Sequence, residues 1–333
     1  MLTALKTFAR KSKTSIVLYK IFDNWRLRRK FRTGRIETQH GSTHKGKTTA
    51  ESLDYINAQF ADYLKYAELN EQQLEGRRVL ELGSGDNVGL ALRFLASGAA
   101  RVVCLDKFYS QRNSDQQLAI YRALREILPA DHRHRFDEAI NIESELAINP
   151  ERLRCIYGVN LEDAAASLRA DEGAFDLVIS RAVIEEIYLP DGVFEATDKL
   201  LAPGGLILHK IDLSDYGIFS GAGMHPLTFL TIPESIYRLM ASDSGIPNRK
   251  LIGYYRNKLK ELGYESKILV TGLLGQGTLD PHKETPRLNE DYTDATLALV
   301  DQIRPKLNGR YEDMCNEDLI VDGIFIIGKK IAN

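Results

Sequence analysis

From residue 76 onward, short apolar runs alternate with longer amphipathic stretches. The apolar runs predict seven strands, at "RRVLELG", "RVVCLD", "RCIYGV", "FDLVISR", "GLILHKIDL", "SKILVTG" and "GIFIIGKK". The stretches between the first five runs are long enough for crossover helices, which is typical of a parallel sheet covered on both faces. The last two runs lack a regular crossover, so we expect them to form an antiparallel edge pair. The pattern therefore predicts a doubly wound, Rossmann-like α/β fold with a mostly parallel seven-stranded sheet and N-terminal helices.

Helical spacing dominates before the predicted sheet. "SIVLYKIFDNW" predicts a helix, "TGRIETQHGSTHKGKTT" predicts a polar linker, and a second helix is expected near residues 50–69. We therefore divide the chain into a basic N-terminal helical segment with its linker, residues 1–49, and a domain over residues 50–333. Insertions at about 109–151 and 214–262 are longer than crossovers require, and such insertions commonly carry substrate specificity.

Positive charge is concentrated at the N-terminus. The 333 residues carry a net charge of −2, but residues 1–35 hold eleven Lys and Arg against one acid, Asp23, so this segment is +10 and the remainder −12. We interpret the segment as basic helices that pack against the rest of the chain or a partner subunit, which leaves a homo-oligomer open. Docking on an anionic membrane is an alternative. A nucleic-acid partner is not expected, because no aromatic stacking platform accompanies the charge.

Cysteine use and hydropathy favour an intracellular protein. Cys104, Cys155 and Cys315 lie far apart and form no CxxC pair, which is typical of reduced thiols. No run of about 18 apolar residues is present, and the N-terminus lacks the apolar core of a signal peptide. We expect cytoplasmic localisation, with membrane association through the basic segment left open. No cluster of His, Cys, Asp or Glu has metal-ligand spacing, so no metal is expected.

The run Val79–Leu92, "VLELGSGDNVGLAL", joins the first strand to a helix through a glycine-rich turn. Gly83 and Gly85 allow a tight turn and a close approach of a ligand to the backbone. A dinucleotide fingerprint has a third glycine where this chain has Val88, and Asp86 would repel a pyrophosphate at the helix N-terminus. An NAD-dependent oxidoreductase is therefore the weaker alternative. The acids of the turn favour a positively charged cofactor instead.

A further acid follows the second strand. Asp106 lies 21 residues after Gly85, the spacing of a carboxylate that binds ribose hydroxyls. With it, "VLELGSGDN", "VVCLDKF", "FDLVISRAVIEEI" and "LLAPGGLIL" resemble, in order, the motifs of class I S-adenosylmethionine-dependent methyltransferases, over roughly residues 76–211 and the terminal strand pair. The resemblance implies S-adenosylmethionine as the cofactor. It assigns cofactor binding to Glu81, Gly83, Ser84, Gly85, Asp86, Asn87, Asp106, Lys107, Phe108, Asn160, Leu161, Glu162, Ser180 and Arg181.

The same resemblance distributes these residues over the parts of the cofactor. Residues 81–87 would surround the methionine moiety, and Asp106 would hold the ribose hydroxyls. Lys107 and Phe108 would lie beside the adenine, together with residues 160–162 after the third strand. The end of the fourth strand, at residues 180–181, would face the methionine end.

The sequence after the fourth strand bears on the methyl acceptor. Nucleic-acid amino methyltransferases have an (N/D)PP(Y/F) tetrapeptide there, whereas this chain has "SRAVIEEI". That run looks more like the "NAVLEHV" of the small-molecule branch, with Glu186 in place of the usual histidine. "HKIDLSDYG" and "MHPLTFL" resemble, more loosely, methyltransferases of bacterial polysaccharide and secondary-metabolite clusters. We expect O-methylation of a polar small molecule such as a sugar, a glycan end or a secondary metabolite. N- or C-methylation of a natural product is the alternative.

A hydroxyl acceptor has to lose its proton, so a general base is expected on the segments after strands four and five. His225 in "GAGMHPL" is the first candidate, because histidine is neutral yet basic near pH 7. Asp212 at the end of strand five is the second, and Glu186 the third. The alternatives are that Asp212 caps the next loop, that His225 lies on the surface, or that transfer needs only positioning. The residues expected to bind the substrate are His44, Asp215, Tyr216 and Arg249.

Overall fold

The computed structural model describes residues 12–38, 41–143, 146–285 and 290–331. Of the predicted basic segment, Lys6, Arg10 and Lys11 lie outside the described residues. The helices are α1 (Lys13–Arg32), α2 (Thr49–Ala67), α3 (Gly89–Ala96), α4 (Ser114–Ile127), α5 (Ala130–Ala139), α6 (Leu161–Glu172), α7 (Asp191–Leu200), α8 (Glu234–Ala241), α9 (Ile252–Glu261), α10 (Asp294–Ile303) and α11 (Asn316–Ile320). The strands are β1 (Glu37–Thr38), β2 (Arg78–Leu82), β3 (Arg101–Asp106), β4 (Tyr109–Ser110), β5 (Ile140–Asn141), β6 (Ala147–Ile148), β7 (Leu153–Tyr157), β8 (Phe175–Arg181), β9 (Leu201–Asp212), β10 (Tyr264–Leu273), β11 (Gly277–Glu284) and β12 (Val321–Lys330).

The large sheet has eight strands in the order β11-β10-β12-β9-β8-β2-β3-β7. All seven predicted strands are present, and the doubly wound α/β architecture is confirmed. The predicted count of seven is wrong, because β11 is an additional strand. Its sequence, "GTLDPHKE", is mostly exposed and has no apolar alternation. It is a strand because it pairs antiparallel with β10 across a short turn.

The predicted pair is confirmed as two neighbouring strands, but its position at the edge is wrong. We expected β10 and β12 together at the edge, but β12 lies between β10 and β9, and β11 forms the edge. The apolar run of β12 is almost wholly buried, with Ile324, Phe325 and Ile326 inaccessible to solvent. A strand that is apolar on both faces is stable only inside a sheet, whereas the polar β11 tolerates the exposed edge.

The order of the strands reverses at β2. The chain runs from β2 to β3 and β7 on one side and returns to β8 on the other, and β2 pairs in parallel with both β3 and β8. Parallel strands end at the same edge of the sheet, so the loops after β2, β3 and β8 lie at one edge. In open α/β sheets such a reversal is where ligands bind.

The chain forms two compact units. One unit comprises residues 34–181, 195–208 and the end of the chain after residue 326. Its core includes β2, β3 and β8, with the helix α3 buried along its whole length. The predicted second helix is confirmed as α2, whose N-terminus has a capping box between Thr48 and Glu51. Its buried stripe packs Phe60 against Phe94 of α3, with ring centroids 5.1 Å apart.

The other unit comprises residues 12–33, 182–194 and 209–326. The helix α1 packs against α8 in this unit, so the basic segment is not a separate appendage. The insertion expected near 109–151 holds α4 and α5, and the one near 214–262 holds α8 and α9. Among the described helices, none combines the length and apolar character that crossing a membrane requires.

Candidate functional site

The turn after β2 is tight because two of its residues have left-handed backbone conformations. Gly83 has φ 72° and Gly85 has φ 64°, a region that residues with a side chain rarely adopt. A Cβ on Gly85 would lie 2.6 Å from the carbonyl oxygen of Gly41. The Asp86 N–H donates to the same oxygen at 3.1 Å. Glycine is therefore required at position 85 by both conformation and space.

Asp106 closes the turn from the end of β3. Its carboxylate accepts hydrogen bonds from the N–H of Gly85 at 3.4 Å and of Phe108 at 3.1 Å. Burial raises the pKa of Asp106, and the hydrogen bonds from Phe108 and Gly85 oppose that rise. The structure thus brings together the glycine turn and the acid that the sequence predicted as its partner.

Glu81 is buried on β2. Burial raises its pKa to about 7, and the Cys104 thiol, whose sulfur lies 3.4 Å from Oε2, opposes the rise. A carboxyl in this state is half ionised near neutral pH. A cation placed nearby would favour the charged form, so Glu81 suits a positively charged ligand.

A cavity of about 530 Å³ lies beside the turn. It is lined by His44, Lys45, Gly46, Lys47, Thr48, Asp86, Asn87, Gln111, Arg112, Asn113, Gln116 and Gln117. The N–H of His44 donates to both carboxylate oxygens of Asp86, at 3.1 and 3.3 Å. The Gln116 amide donates to the carbonyl oxygens of His44 and Lys47, which fastens this loop to α4. His44 is 6% exposed, so it is buried although it lies in the segment predicted as a polar linker.

Two groups at the cavity stand out chemically. The Nδ1 atom of His44 is buried without a hydrogen-bond partner among the described residues, and burial lowers the pKa of this histidine. The Oδ1 of Asn87 accepts from the N–H of Gly89 at 2.6 Å, whereas its Nδ2 is buried without a hydrogen-bond partner among the described residues.

Arg112 is a site residue that sequence reasoning missed. Its guanidinium donates to the carbonyl oxygen of Gly85 at 3.2 Å and to the hydroxyl of Tyr157. It also lies over the rings of Tyr109 and Tyr157, at 5.4 and 5.2 Å from their centroids. No sequence motif identifies Arg112, because its partners Gly85 and Tyr157 lie in distant segments that meet only in the fold.

The residues assigned to the adenine, at positions 160–162 after β7, differ in burial and in bonding. Tyr157 is in register with Asp106, so the end of β7 lies directly beside the predicted ribose acid. The side-chain amide of Asn160, however, is bonded to Asp163 at 3.0 Å. Leu161 is buried at the start of α6, and Glu162 is exposed.

The end of β8 holds the last two residues that were assigned to the cofactor, Ser180 and Arg181. Ser180 is buried and in register with Leu82, the residue before Gly83. Arg181 forms an ion pair with Asp62 of α2 at 2.9 Å. The sequence therefore located both residues correctly at the strand end, but the guanidinium of Arg181 already has a carboxylate partner.

In the other unit, a buried carboxyl follows β8 in the chain. Glu185 is 1% exposed, and its Oε1 accepts from the N–H of Asp212 at 2.8 Å and from the hydroxyl of Tyr216 at 3.0 Å. Its Oε2 is buried without a partner among the described residues. Burial raises the pKa of Glu185 to about 7, and the hydrogen bond from the Asp212 N–H opposes the rise.

Sequence reasoning selected Glu186, the neighbour of this residue. The 3-10 helix Ile184–Glu186 directs Glu185 inward, whereas Glu186 lies near Gly245 and is partly exposed. Asp212 accepts from the N–H of Ser214 at 2.8 Å, which is the loop-capping role of the alternative interpretation. Burial and the nearby Glu185 strongly raise the pKa of Tyr216. This hydroxyl therefore stays protonated and donates to the carboxylate.

Both ring nitrogens of His225 bond to backbone atoms. Nε2 lies 2.9 Å from the carbonyl oxygen of Leu299, and Nδ1 accepts from the N–H of Leu227 at 3.1 Å. The proton therefore resides on Nε2, and the only lone pair is occupied. This arrangement caps the 3-10 helix Pro226–Thr231, which gives the ring a structural role.

The side chains of Asp215 and Arg249, both predicted to bind the substrate, are bonded within the protein. The Asp215 carboxylate accepts from the N–H groups of Gly217, Phe219 and Ser220 and from the hydroxyl of Ser220. Four bonds leave it no capacity for a ligand.

The Arg249 side chain is 1% exposed. It donates to the carbonyl oxygens of Phe229 and Ile232, pairs with Glu234, and lies 3.8 Å from the ring centroid of Tyr237. Such a buried guanidinium fixes the loop and is not available to an acceptor.

In the part of the chain that the structure describes, no group of three or more His, Cys, Asp or Glu side chains is placed to hold a metal ion.

The sequence matches one protein-family model. A family model described as a methyltransferase domain matches residues 52–262, more than half of the chain. No curated protein matches the chain. One similar solved structure is the S-adenosylmethionine-dependent methyltransferase from Mesorhizobium loti, with 14% identity and a TM-score of 0.38, covering 81% of this chain and 96% of that one.

Two further structures are longer than this chain. The CurJ carbon methyltransferase has 12% identity and a TM-score of 0.37, covering 78% of this chain and 49% of that one. Phosphoethanolamine N-methyltransferase 2 from Haemonchus contortus, in complex with S-adenosyl-L-methionine, has 15% identity and a TM-score of 0.36, covering 82% of this chain and 60% of that one. The chain thus spans about half to three fifths of the length of these two proteins.

Proposed function

Since this chain belongs to the methyltransferase-domain family and depends on S-adenosylmethionine, we propose that it methylates a hydroxyl group of a polar small molecule. A sugar, a glycan end or a secondary metabolite is the acceptor class we propose. The observation that carries the proposal is the buried carboxyl of Glu185, with a pKa near neutrality and one oxygen without a partner among the described residues. A hydroxyl is a poor nucleophile until its proton is taken, so a base with a pKa near 7 is matched to it.

The residues of the glycine turn fit the cofactor. When bound, S-adenosylmethionine supplies a methyl group made electrophilic by the adjacent sulfonium. The turn at Gly85 packs closely against the Gly41 carbonyl, and Asp106 beside it would hold the ribose hydroxyls. The buried carboxylate of Glu81 would stabilise the positive charge of the cofactor. Lys47 and Arg112 line the cavity beside the turn and would bind the carboxylate of the amino-acid moiety.

Glu185 would take the proton of the acceptor at its free Oε2. The hydrogen bonds from the Asp212 N–H and the Tyr216 hydroxyl hold Oε1, so the carboxyl plane is fixed, and Oε2 is the oxygen without a partner among the described residues. Desolvation of the carboxylate strengthens it as a base compared with an exposed glutamate. These features favour O-methylation, since a hydroxyl needs this help more than a free amine does.

Cofactor binding is tested first by calorimetry. We expect the protein to bind S-adenosylhomocysteine and not NADH, because Asp86 lies where a pyrophosphate would be held. Binding of NADH in place of S-adenosylhomocysteine would contradict the assignment.

The acceptor is then sought by incubating the protein with radiolabelled S-adenosylmethionine and a panel of sugars, glycans and polar metabolites. NMR of the product identifies the methylated atom, and a methyl group on nitrogen or carbon would refute the hydroxyl proposal. With an acceptor identified, Glu185→Gln should lower kcat by a factor on the order of 10²–10⁴, whereas Glu186→Gln is the matched control and should leave kcat unchanged. Equal effects of the two variants would exclude Glu185 as the base.

A further inference from the structure

One face of the helix α1 packs against α8 and the residues that follow it. Ile16, Asp23, Asn24 and Leu27 are buried on this face. The Asn24 amide donates to the hydroxyl of Ser242 at 3.0 Å and accepts from the N–H of Asp243 at 2.7 Å, both directly after α8. The orientation of α1 on its own unit is therefore fixed by specific bonds as well as by packing.

The opposite face of α1 presents large apolar side chains to solvent. Leu18, Phe22 and Trp25 are 62%, 59% and 54% exposed, and Tyr19 beside them is 61% exposed. Their spacing of four and three residues places Leu18, Phe22 and Trp25 in one stripe along the helix. The rings of Phe22 and Trp25 lie 6.0 Å apart. A contiguous stripe of this kind indicates an interaction surface, because proteins rarely expose adjoining large apolar side chains.

Positive charge adjoins the C-terminal part of this stripe, whereas Lys13 donates to the Thr231 hydroxyl and Arg28 pairs with Asp243. The basic residues of α1 are Lys13, Lys20, Arg26, Arg28, Arg29, Lys30 and Arg32. Asp23 is the one acid in the sequence of α1, and it is buried in an ion pair with Arg26. Arg29 lies over the Trp25 ring at 5.8 Å from its centroid, so charge and apolar surface are presented together. The surface combines an aromatic and aliphatic stripe with a cationic border.

We propose that this face of α1 docks on an anionic lipid bilayer. The helix would lie in the plane of the surface, with Leu18, Phe22 and Trp25 at the boundary of headgroups and acyl chains and the arginines at the lipid phosphates. Interfacial helices have this composition, with Lys and Arg around Trp, Phe and Leu. A nucleic acid would satisfy the charge but would leave Leu18 and Phe22 in water, so a membrane fits both features. The proposal holds whichever acceptor the enzyme methylates.

The chain contains one tryptophan, and it lies in the proposed docking face. Trp25 fluorescence therefore reports on this face alone. We expect the full-length protein to sediment with phosphatidylcholine–phosphatidylserine vesicles, with a blue shift of the Trp25 emission, and not with phosphatidylcholine vesicles. Raising the salt concentration should weaken this binding, because the attraction falls off within a Debye length of about 8–10 Å.

Two variants keep Trp25 as the reporter and separate the contributions. Arg29→Gln with Arg32→Gln should weaken partitioning roughly 30-fold, since each basic residue near an anionic surface contributes about 1 kcal/mol, about fivefold. Phe22→Ser should abolish the blue shift. The matched controls are Lys260→Gln on α9 and Ile127→Ser on α4, which alter an exposed cation and an exposed apolar residue elsewhere and should bind as the unmodified protein does.

Circular dichroism melting curves establish that each variant is folded before binding is compared. Absence of binding to anionic vesicles at low salt would overturn the proposal. So would binding that both α1 variants leave unchanged. A blue-shifted Trp25 without vesicles, together with a dimer in analytical ultracentrifugation, would show that a second copy of the chain covers this face instead.

Discussion

Replacing Glu185 by glutamine should make the stability of the protein less dependent on pH. Burial raises the pKa of Glu185 to about 7, against 4.5 for the ordinary side chain. Between these values the unfolded chain releases the proton and the folded protein retains it. The folded state is therefore favoured at low pH, and this stabilisation is lost progressively as the pH rises from about 4.5 to 7.

The magnitude follows from the two pKa values. A difference of this size corresponds to about 3 kcal/mol of lost stability above pH 7, and to about 1 kcal/mol at pH 5.5. Glutamine has no proton to lose, and its carbonyl oxygen can still accept from the Asp212 N–H and the Tyr216 hydroxyl. The stability of Glu185→Gln relative to the unmodified protein should therefore rise by about 2 kcal/mol between pH 5.5 and pH 8.5.

Urea denaturation followed by circular dichroism at both pH values measures this change without any substrate. Glu81 and Asp322 also have pKa values raised to about 7, but they are present in both proteins and cancel in the comparison. Glu186→Gln is the control and should show no such rise. A stability difference for Glu185→Gln that is the same at both pH values would refute the idea that this carboxyl is held neutral by burial.

Three further predictions concern the other site residues. Asp106→Asn should weaken binding of S-adenosylhomocysteine in calorimetry about 10- to 100-fold, because charge-assisted hydrogen bonds are worth about 1.5–3 kcal/mol, and unchanged affinity would contradict the ribose assignment. Gly85→Ala should abolish that binding through the clash with the Gly41 carbonyl, whereas Gly76→Ala, at φ 75° with open space around it, should bind normally. His225→Ala should change kcat less than roughly threefold, since both ring nitrogens bond to backbone, and a larger loss with an unchanged melting temperature would restore it as a candidate base.

The predictions from sequence succeeded where the signal was local. β2, β3 and β8 are continuous apolar runs. The turn after β2 contains two glycines, Gly83 and Gly85, and closely spaced glycines indicate a tight turn. β11 was missed because a polar, exposed segment becomes a strand only through its partner β10.

The sequence predicts Glu186 and not Glu185 as a candidate base for a similar reason, because the relevant signal is not local. Two adjacent acids look alike in sequence, and the one that points inward is decided by the 3-10 turn that follows Ala182, a residue with φ 54°. The sequence assigns Arg249 to the substrate because it follows Pro247 and Asn248 at an apparent helix start, where an arginine can bind an anion. Its acceptors, the carbonyl oxygens of Phe229 and Ile232, lie in a segment about twenty residues earlier, and no local pattern predicts that they meet.

The four hydrogen bonds to Asp215 have a thermodynamic consequence for the loop that contains Tyr216. They fix the backbone on both sides of Tyr216, which itself adopts a left-handed conformation at φ 55° that an unconstrained tyrosine would rarely populate. The conformational entropy of this loop is therefore lost when the chain folds and not when a ligand arrives. An acceptor that bound against the Tyr216 hydroxyl, as we propose, would meet a surface already ordered, so a larger share of its contact energy would become affinity.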